Sequence, residues 1–147
     1  MISTDPLQLT PYDIALLFCE LQGKRTSVFK DFDQGFLLFI NKEATESQFK
    51  QLVQIVTKHF VSISNEEAMN LLEDKSHTVA KHIQKIQELE KSKLKYTVEY
   101  QTLQTETIFG DRDMENESSQ AKLKITELIE SINEEMEALH CFMADEL

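Results

Sequence analysis

Glycine and proline are scarce: three and two residues respectively among 147, and both prolines, Pro6 and Pro11, fall in the first eleven positions. A stretch of about 135 residues without a proline, and almost without glycine, excludes a turn-rich β-sandwich or barrel. Cysteine is nearly absent as well. Cys19 and Cys141 stand near opposite ends of the chain, so there is no cysteine-dense framework of the kind that staples small secreted domains. Residues Met1 to Leu9 carry Asp5 and Pro6 and lack the basic start and apolar run of a signal peptide. The longest apolar stretches, Ile14 to Cys19 and Phe36 to Ile40, fall far short of the roughly 20 residues that cross a bilayer. No membrane association is expected, and no basic nuclear-import cluster stands out. The expected location is intracellular, with nucleus and cytoplasm both open.

What the chain does have is acid and apolar residues together. Twenty-six acids against 15 bases give a net charge of −11, while hydrophobic residues make up 41%, which is the balance of a folded acidic chain and not of a disordered one. The length suits one domain, residues 1–147, ordered from about 10 to 143. Such a chain buries a core without metal or disulfide.

Four helices follow from the spacing of apolar residues. The first opens at Thr10, with Pro11 at its first position and Asp13 three residues after the cap. Ile14, Leu17, Phe18, Leu21, Val28, Phe29, Phe32, Phe36 and Phe39 fall within an arc of roughly 120°. Gly35 lies inside that arc at a cost of about 1 kcal/mol in helix propensity, which suggests that another backbone passes close by. After the polar stretch Asn41 to Glu46, a second helix begins near Thr45 or Ser47 and carries Phe49, Leu52, Val53, Val56, Phe60 and Ile63. The pattern weakens after Ser64 and Asn65 and returns at Leu71 and Leu72. Glu73 to His77 reads as a connection capped by Asp74 or Ser76. The third helix then runs to about Phe109 through Val79, Ile83, Ile86, Leu94, Tyr100 and Ile108, with Gly110 as its stop. Residues 110–119 read as a mobile loop. The fourth helix begins near Ser118 or Ser119 and presents Ala121, Ile125, Leu128, Ile129, Ile132, Met136, Leu139 and Met143. The expected fold is all-α, an antiparallel four-helix bundle of long amphipathic helices, with an extended, dimerising helical hairpin as the alternative.

Two charged residues interrupt the apolar faces at the same height. Arg25 sits at the centre of the first arc and Glu90 between Ile86 and Leu94, each about 21 Å from its helix start at 1.5 Å per residue. A guanidinium in an apolar interior must be paired and hydrogen-bonded, so the two are expected to form a buried polar pair that sets helix register. Thr57 and Ser64 could add oxygen atoms nearby. The competing reading makes Arg25 the base of an anion pocket.

Catalytic and metal chemistry is not signalled. No glycine-rich phosphate loop, closely spaced cysteine pair or His-Glu-x-x-His helix occurs, and His59, His77, His82 and His140 are scattered. His140 and Cys141 are adjacent, but neighbouring helical residues point about 100° apart. The chain is expected to be no enzyme and to hold no cofactor or metal. Charge is uneven. Residues 111–147 contain 11 acids and three bases, and residues 75–95 hold six lysines and two acids. Lys81, Lys85, Lys91 and Lys95 cluster opposite the third apolar face and are the candidate nucleic-acid contact. The same stripe, without interleaved aromatics or arginines, is what the solvated side of an amphipathic helix looks like, so direct nucleic-acid binding is disfavoured.

The run Leu21-Gln22-x-x-Arg25-x-x-x-Phe29, then Gly35 with Phe36 and Phe39, then Phe49, Val56-Thr57-x-x-Phe60 and Ser64, resembles the Rex1-B, or required-for-excision, domain family. The likeness continues through Ile86-Gln87-x-Leu89-Glu90, Lys93-Leu94 and Ile132-Asn133. It covers roughly residues 14 to 140 and implies a minimal family member with little added at either end. What the resemblance implies is association with excision repair of DNA, and its shared positions coincide with the expected core, Arg25 and Glu90 included. The leading expectation is a non-enzymatic adaptor or accessory factor acting through protein partners of a repair assembly. A helical scaffold or oligomerisation module unrelated to repair comes second, and a direct DNA binder through the lysine face third.

Overall fold

The structure, a computed structural model, describes residues 10–64 and 78–145. These hold four helices and no strand: α1 Pro11–Ile40, α2 Glu46–Ser64, α3 Thr78–Phe109 and α4 Glu115–Asp145. The all-α class expected from sequence is what they show. The expected features between Asn65 and His77, including the return of apolar residues at Leu71 and the caps at Asp74 or Ser76, lie outside the described residues.

Local chemistry fixes the helix ends. At the start of α1 the Thr10 N–H donates to Asp13 Oδ2 at 3.1 Å and the Asp13 N–H donates to Thr10 Oγ1 at 3.2 Å, a reciprocal cap with Pro11 just inside it. The same device opens α2, where the Thr45 N–H donates to Gln48 Oε1 at 2.8 Å and the Gln48 N–H returns to Thr45 Oγ1 at 3.1 Å. Between them α1 ends in a six-to-one turn. The Glu43 N–H donates to Leu38 O at 2.8 Å and the Lys42 N–H to Phe39 O at 3.1 Å, with Lys42 at φ 63° where glycine is usual.

The fourth helix corrects an expectation. It begins at Glu115, not at Ser118 or Ser119, and the loop expected over 110–119 is confined to 110–114. Asp113 Oδ1 accepts from the Glu115 N–H at 3.0 Å, and Thr107 Oγ1 accepts from the Met114 N–H at 2.9 Å. These bonds satisfy first-turn donors that an uncapped start would leave open. Gly110 does follow the end of α3, yet its φ is not positive. Space is the reason for glycine there, since a Cβ would lie 2.6 Å from the Glu106 carbonyl oxygen.

The chain divides into two compact units, the first running to Ile83 and the second from Gln84 to Asp145. In the first, α1 and α2 form an antiparallel hairpin around phenylalanine. Phe49 packs against Phe39 (centroids 4.9 Å apart), Phe36 (5.7 Å) and Phe32 (6.3 Å), and farther along Phe29 meets Phe60 at 4.5 Å. Gly35 faces this hairpin as expected, but its close neighbour is a side chain and not a backbone: an added methyl would overlap Leu52 Cδ2.

In the second unit α3 and α4 are antiparallel too. Each step back along α3 is matched by a similar step forward along α4, from Thr107–Met114 at the turn, through Gln104–Ser118 and Tyr100–Lys122, to Lys85–Glu135. Burial departs from expectation at two apolar positions. Ile108 and Ile129, assigned to the core by spacing, are 41% and 40% exposed; the first stands one residue from the end of α3, and the second at the edge of its helix's arc.

Candidate functional site

Arg25 and Glu90 are both shut away from water, 2% and 5% exposed. Burial of a guanidinium and of a carboxylate requires hydrogen bonds to each, and the first of these come from the residues' own helices. Arg25 Nη1 donates to Gln22 Oε1 at 2.9 Å, with Gln22 itself buried. Glu90 Oε1 lies 3.8 Å from Lys93 Nζ, whose side chain is only 14% exposed. Sequence reasoning named the two ions and did not assign Gln22 or Lys93 to them. The signal was present, because an i,i+3 spacing places both helpers one turn away on the same face. The expectation that Arg25 and Glu90 pair with one another rests on their matched heights in the sequence.

Thr57 does not serve as expected. It is exposed, and its hydroxyl donates to its own helix at Val53 O, 2.7 Å away. The side chain of Ser64 lies outside the described residues.

The four candidate lysines, Lys81, Lys85, Lys91 and Lys95, are all exposed. They are not an isolated basic stripe. Lys85 Nζ is 2.8 Å from Glu135 Oε1, and that hydrogen bond, with the carboxylate's charge, raises the lysine pKa above its ordinary value. Lys95 Nζ sits 5.7 Å from the centroid of the Tyr96 ring. The register of α3 against α4 sets Lys91 level with Glu130 and Lys95 level with Glu127, and both acids are exposed. Packed helices lie about 8 to 10 Å apart, close to one Debye length at physiological salt. A phosphate approaching the lysines therefore also feels the acids.

Additional polar groups are buried in the second unit that sequence did not flag: Thr97, Gln101 and Ser118. Ser118 is wholly enclosed, donates to Glu115 O at 3.1 Å and accepts from Gln104 Nε2 at 2.8 Å. Among the described residues no group of three or more His, Cys, Asp or Glu side chains is placed to hold a metal ion, and no helix is long and apolar enough to cross a membrane. Cys19 is half-buried, and burial pushes its thiol pKa up; thiolate chemistry is disfavoured at such a site. Cys141 is exposed.

Neither a search of curated proteins nor a search of solved structures returns a match. A family model does match, over residues 13–104, which takes in α1 from Asp13, α2, and α3 as far as Gln104. The likeness read from the sequence runs on to about residue 140, whereas the matched segment ends before α4. It includes Arg25, Gln22, Glu90 and Lys93, the ions and their nearest helpers, and the phenylalanines of the first hairpin. Spanning well over half of its length, the match shows that this chain belongs to the DNA repair REX1-B family.

Proposed function

We propose that the chain is a non-enzymatic accessory factor of DNA repair that works through contacts with other proteins. Membership in the repair family carries the association with repair. Support for protein contacts over nucleic-acid contacts comes chiefly from the charge layout of the α3/α4 hairpin. Its one basic stripe is flanked at the same heights by Glu127 and Glu130, and one of its lysines is already held by Glu135. Nucleic-acid affinity depends on uncompensated cations that release counterions from phosphate, and a chain with net charge −11 has few to offer. An acidic surface is better suited to a basic protein partner.

Affinity purification of the full-length chain from damaged and undamaged cells, with nuclease added to the lysate, tests this reading. A recurring set of proteins retained after nuclease treatment is the expected result. Retention that disappears with nuclease would transfer the role to nucleic acid and overturn it.

A further inference from the structure

We propose that α4 is a detachable helix, held to α3 by a seam that opens in one cooperative step while the α1/α2 hairpin stays folded. This goes beyond the repair role and does not depend on it.

The seam is poor in apolar burial. The buried side chains of α4 are Ser118, Ala121, Ile132 and Leu139, while Leu123 and Ile129, both large and apolar, stay exposed. On α3 the buried residues are apolar toward its start, Val79, Ala80, Ile83 and Ile86, and charged or polar beyond, Glu90, Thr97 and Gln101. Each polar group taken out of water needs a partner. Ser118 and Thr97 have theirs, the Thr97 hydroxyl donating to Lys93 O at 2.8 Å. Gln101 is different. It is 6% exposed, and among the described residues no group accepts from its Nε2. It stands on α3 one turn before Gln104, the residue that bonds Ser118 of α4. Closed, the described residues leave this amide donor without an acceptor, and opening returns it to water.

Charge on α4 acts both ways. Lys85 of α3 holds Glu135 at 2.8 Å and Lys124 lies 3.8 Å from Glu127, while Glu130, Glu134 and Glu137 are exposed at spacings of three and four, where like charges repel. Asp145 stands in the last turn with no basic residue beside it, the end at which a helix disfavours an acid. Local opening in proteins is drawn from regions of few apolar contacts and exposed helix surface, and α4 has both.

Native-state hydrogen exchange on the full chain, read by mass spectrometry, tests the inference in the wild type and in Gln101→Met, which keeps length and removes the amide. In the wild type, peptides from all of α4 should share one protection factor, at least about tenfold below that of peptides covering 14–36 in α1. Gln101→Met should raise protection in α4 by about tenfold, the order expected from removing an unsatisfied buried donor, and leave α1 unchanged. Equal protection in α4 and α1 would overturn the proposal, as would fraying of α4 residue by residue from its end. A loss of α4 protection in Gln101→Met would do so as well, since the amide would then be a support.

Discussion

The two hairpins are alike in topology and opposite in chemistry. The α1/α2 hairpin closes on phenylalanine, with Phe29, Phe32, Phe36 and Phe60 all buried and Phe49 stacked among the rings. The α3/α4 hairpin mixes a few aliphatic side chains, Ile86, Ile132 and Leu139, with small and polar groups, Ala121 and Ser118 on one side and Thr97 and Gln101 on the other. Aromatic burial is strong and tolerant of direction. Polar burial is weak and specific, because every donor and acceptor has to be met. The first hairpin is therefore built for stability, and the second for register at the expense of stability.

Substitutions that remove apolar volume should separate the two most widely. Phe29→Ala deletes the ring against Phe60 and should cost about 3 to 5 kcal/mol in denaturant unfolding, while Leu139→Ala in α4 should fall near the low end of its class, about 2 kcal/mol. Equal costs would erase the distinction between the hairpins.

Next come the buried ions. Arg25→Leu and Glu90→Leu should each cost about 3 kcal/mol, because each strips a partner from groups already removed from water. The expected pairing of Arg25 with Glu90 predicts a coupling above about 0.5 kcal/mol in a double-mutant cycle. Strictly additive costs would leave each ion to its own helper, Gln22 or Lys93. An unchanged melting transition in Arg25→Leu would remove the ion from the account of stability, and loss of a partner with the fold intact would favour the anion pocket.

A smaller effect of opposite sign is expected in the first hairpin at its turn. Lys42 adopts a left-handed conformation that costs an L-residue roughly 1 to 2 kcal/mol, partly offset by the greater unfolded-state freedom of glycine. Lys42→Gly should stabilise the protein by about 0.5 kcal/mol, visible as a raised unfolding midpoint.

The smallest is a pH effect, also in the first hairpin. Cys19 has a raised thiol pKa because it is partly buried. Below the ordinary thiol value of about 8.5 both states hold the proton and stability is indifferent to it. As pH rises through that value the unfolded thiol ionises first, the folded one resists, and stability falls. Melting curves from neutral to mildly alkaline pH should show a decline that is shallower in Cys19→Ala. Thiol labelling should reach exposed Cys141 before Cys19.

Local chemistry made much of this fold readable in advance. The Thr10 cap and the restart at Thr45 follow from side chains three residues from the backbone groups they satisfy, and the end of α3 at Phe109 from the glycine that follows it. The start of α4 did not, because its support includes Thr107, seven residues from the Met114 N–H that it accepts from. Acids and amides around Asp113 look like a loop by composition alone. Gly35 was legible as a tight spot, but the atom that makes it tight belongs to Leu52, on another helix. Of the site, Arg25 and Glu90 were visible as charges on apolar arcs. Gln101 and Ser118 were not, since a neutral polar residue carries no sign in the sequence that it faces inward. The lysine stripe was visible too, and its neutralising acids were not, because their heights depend on the register between two helices.

The claim that proteins and not phosphates are the chain's partners meets its most direct test in a titration of labelled duplex and gapped DNA at low salt. Weak binding that is insensitive to replacing Lys81, Lys85, Lys91 and Lys95 by Glu is the predicted result. Tight, steeply salt-dependent binding that is abolished by those four replacements would contradict it.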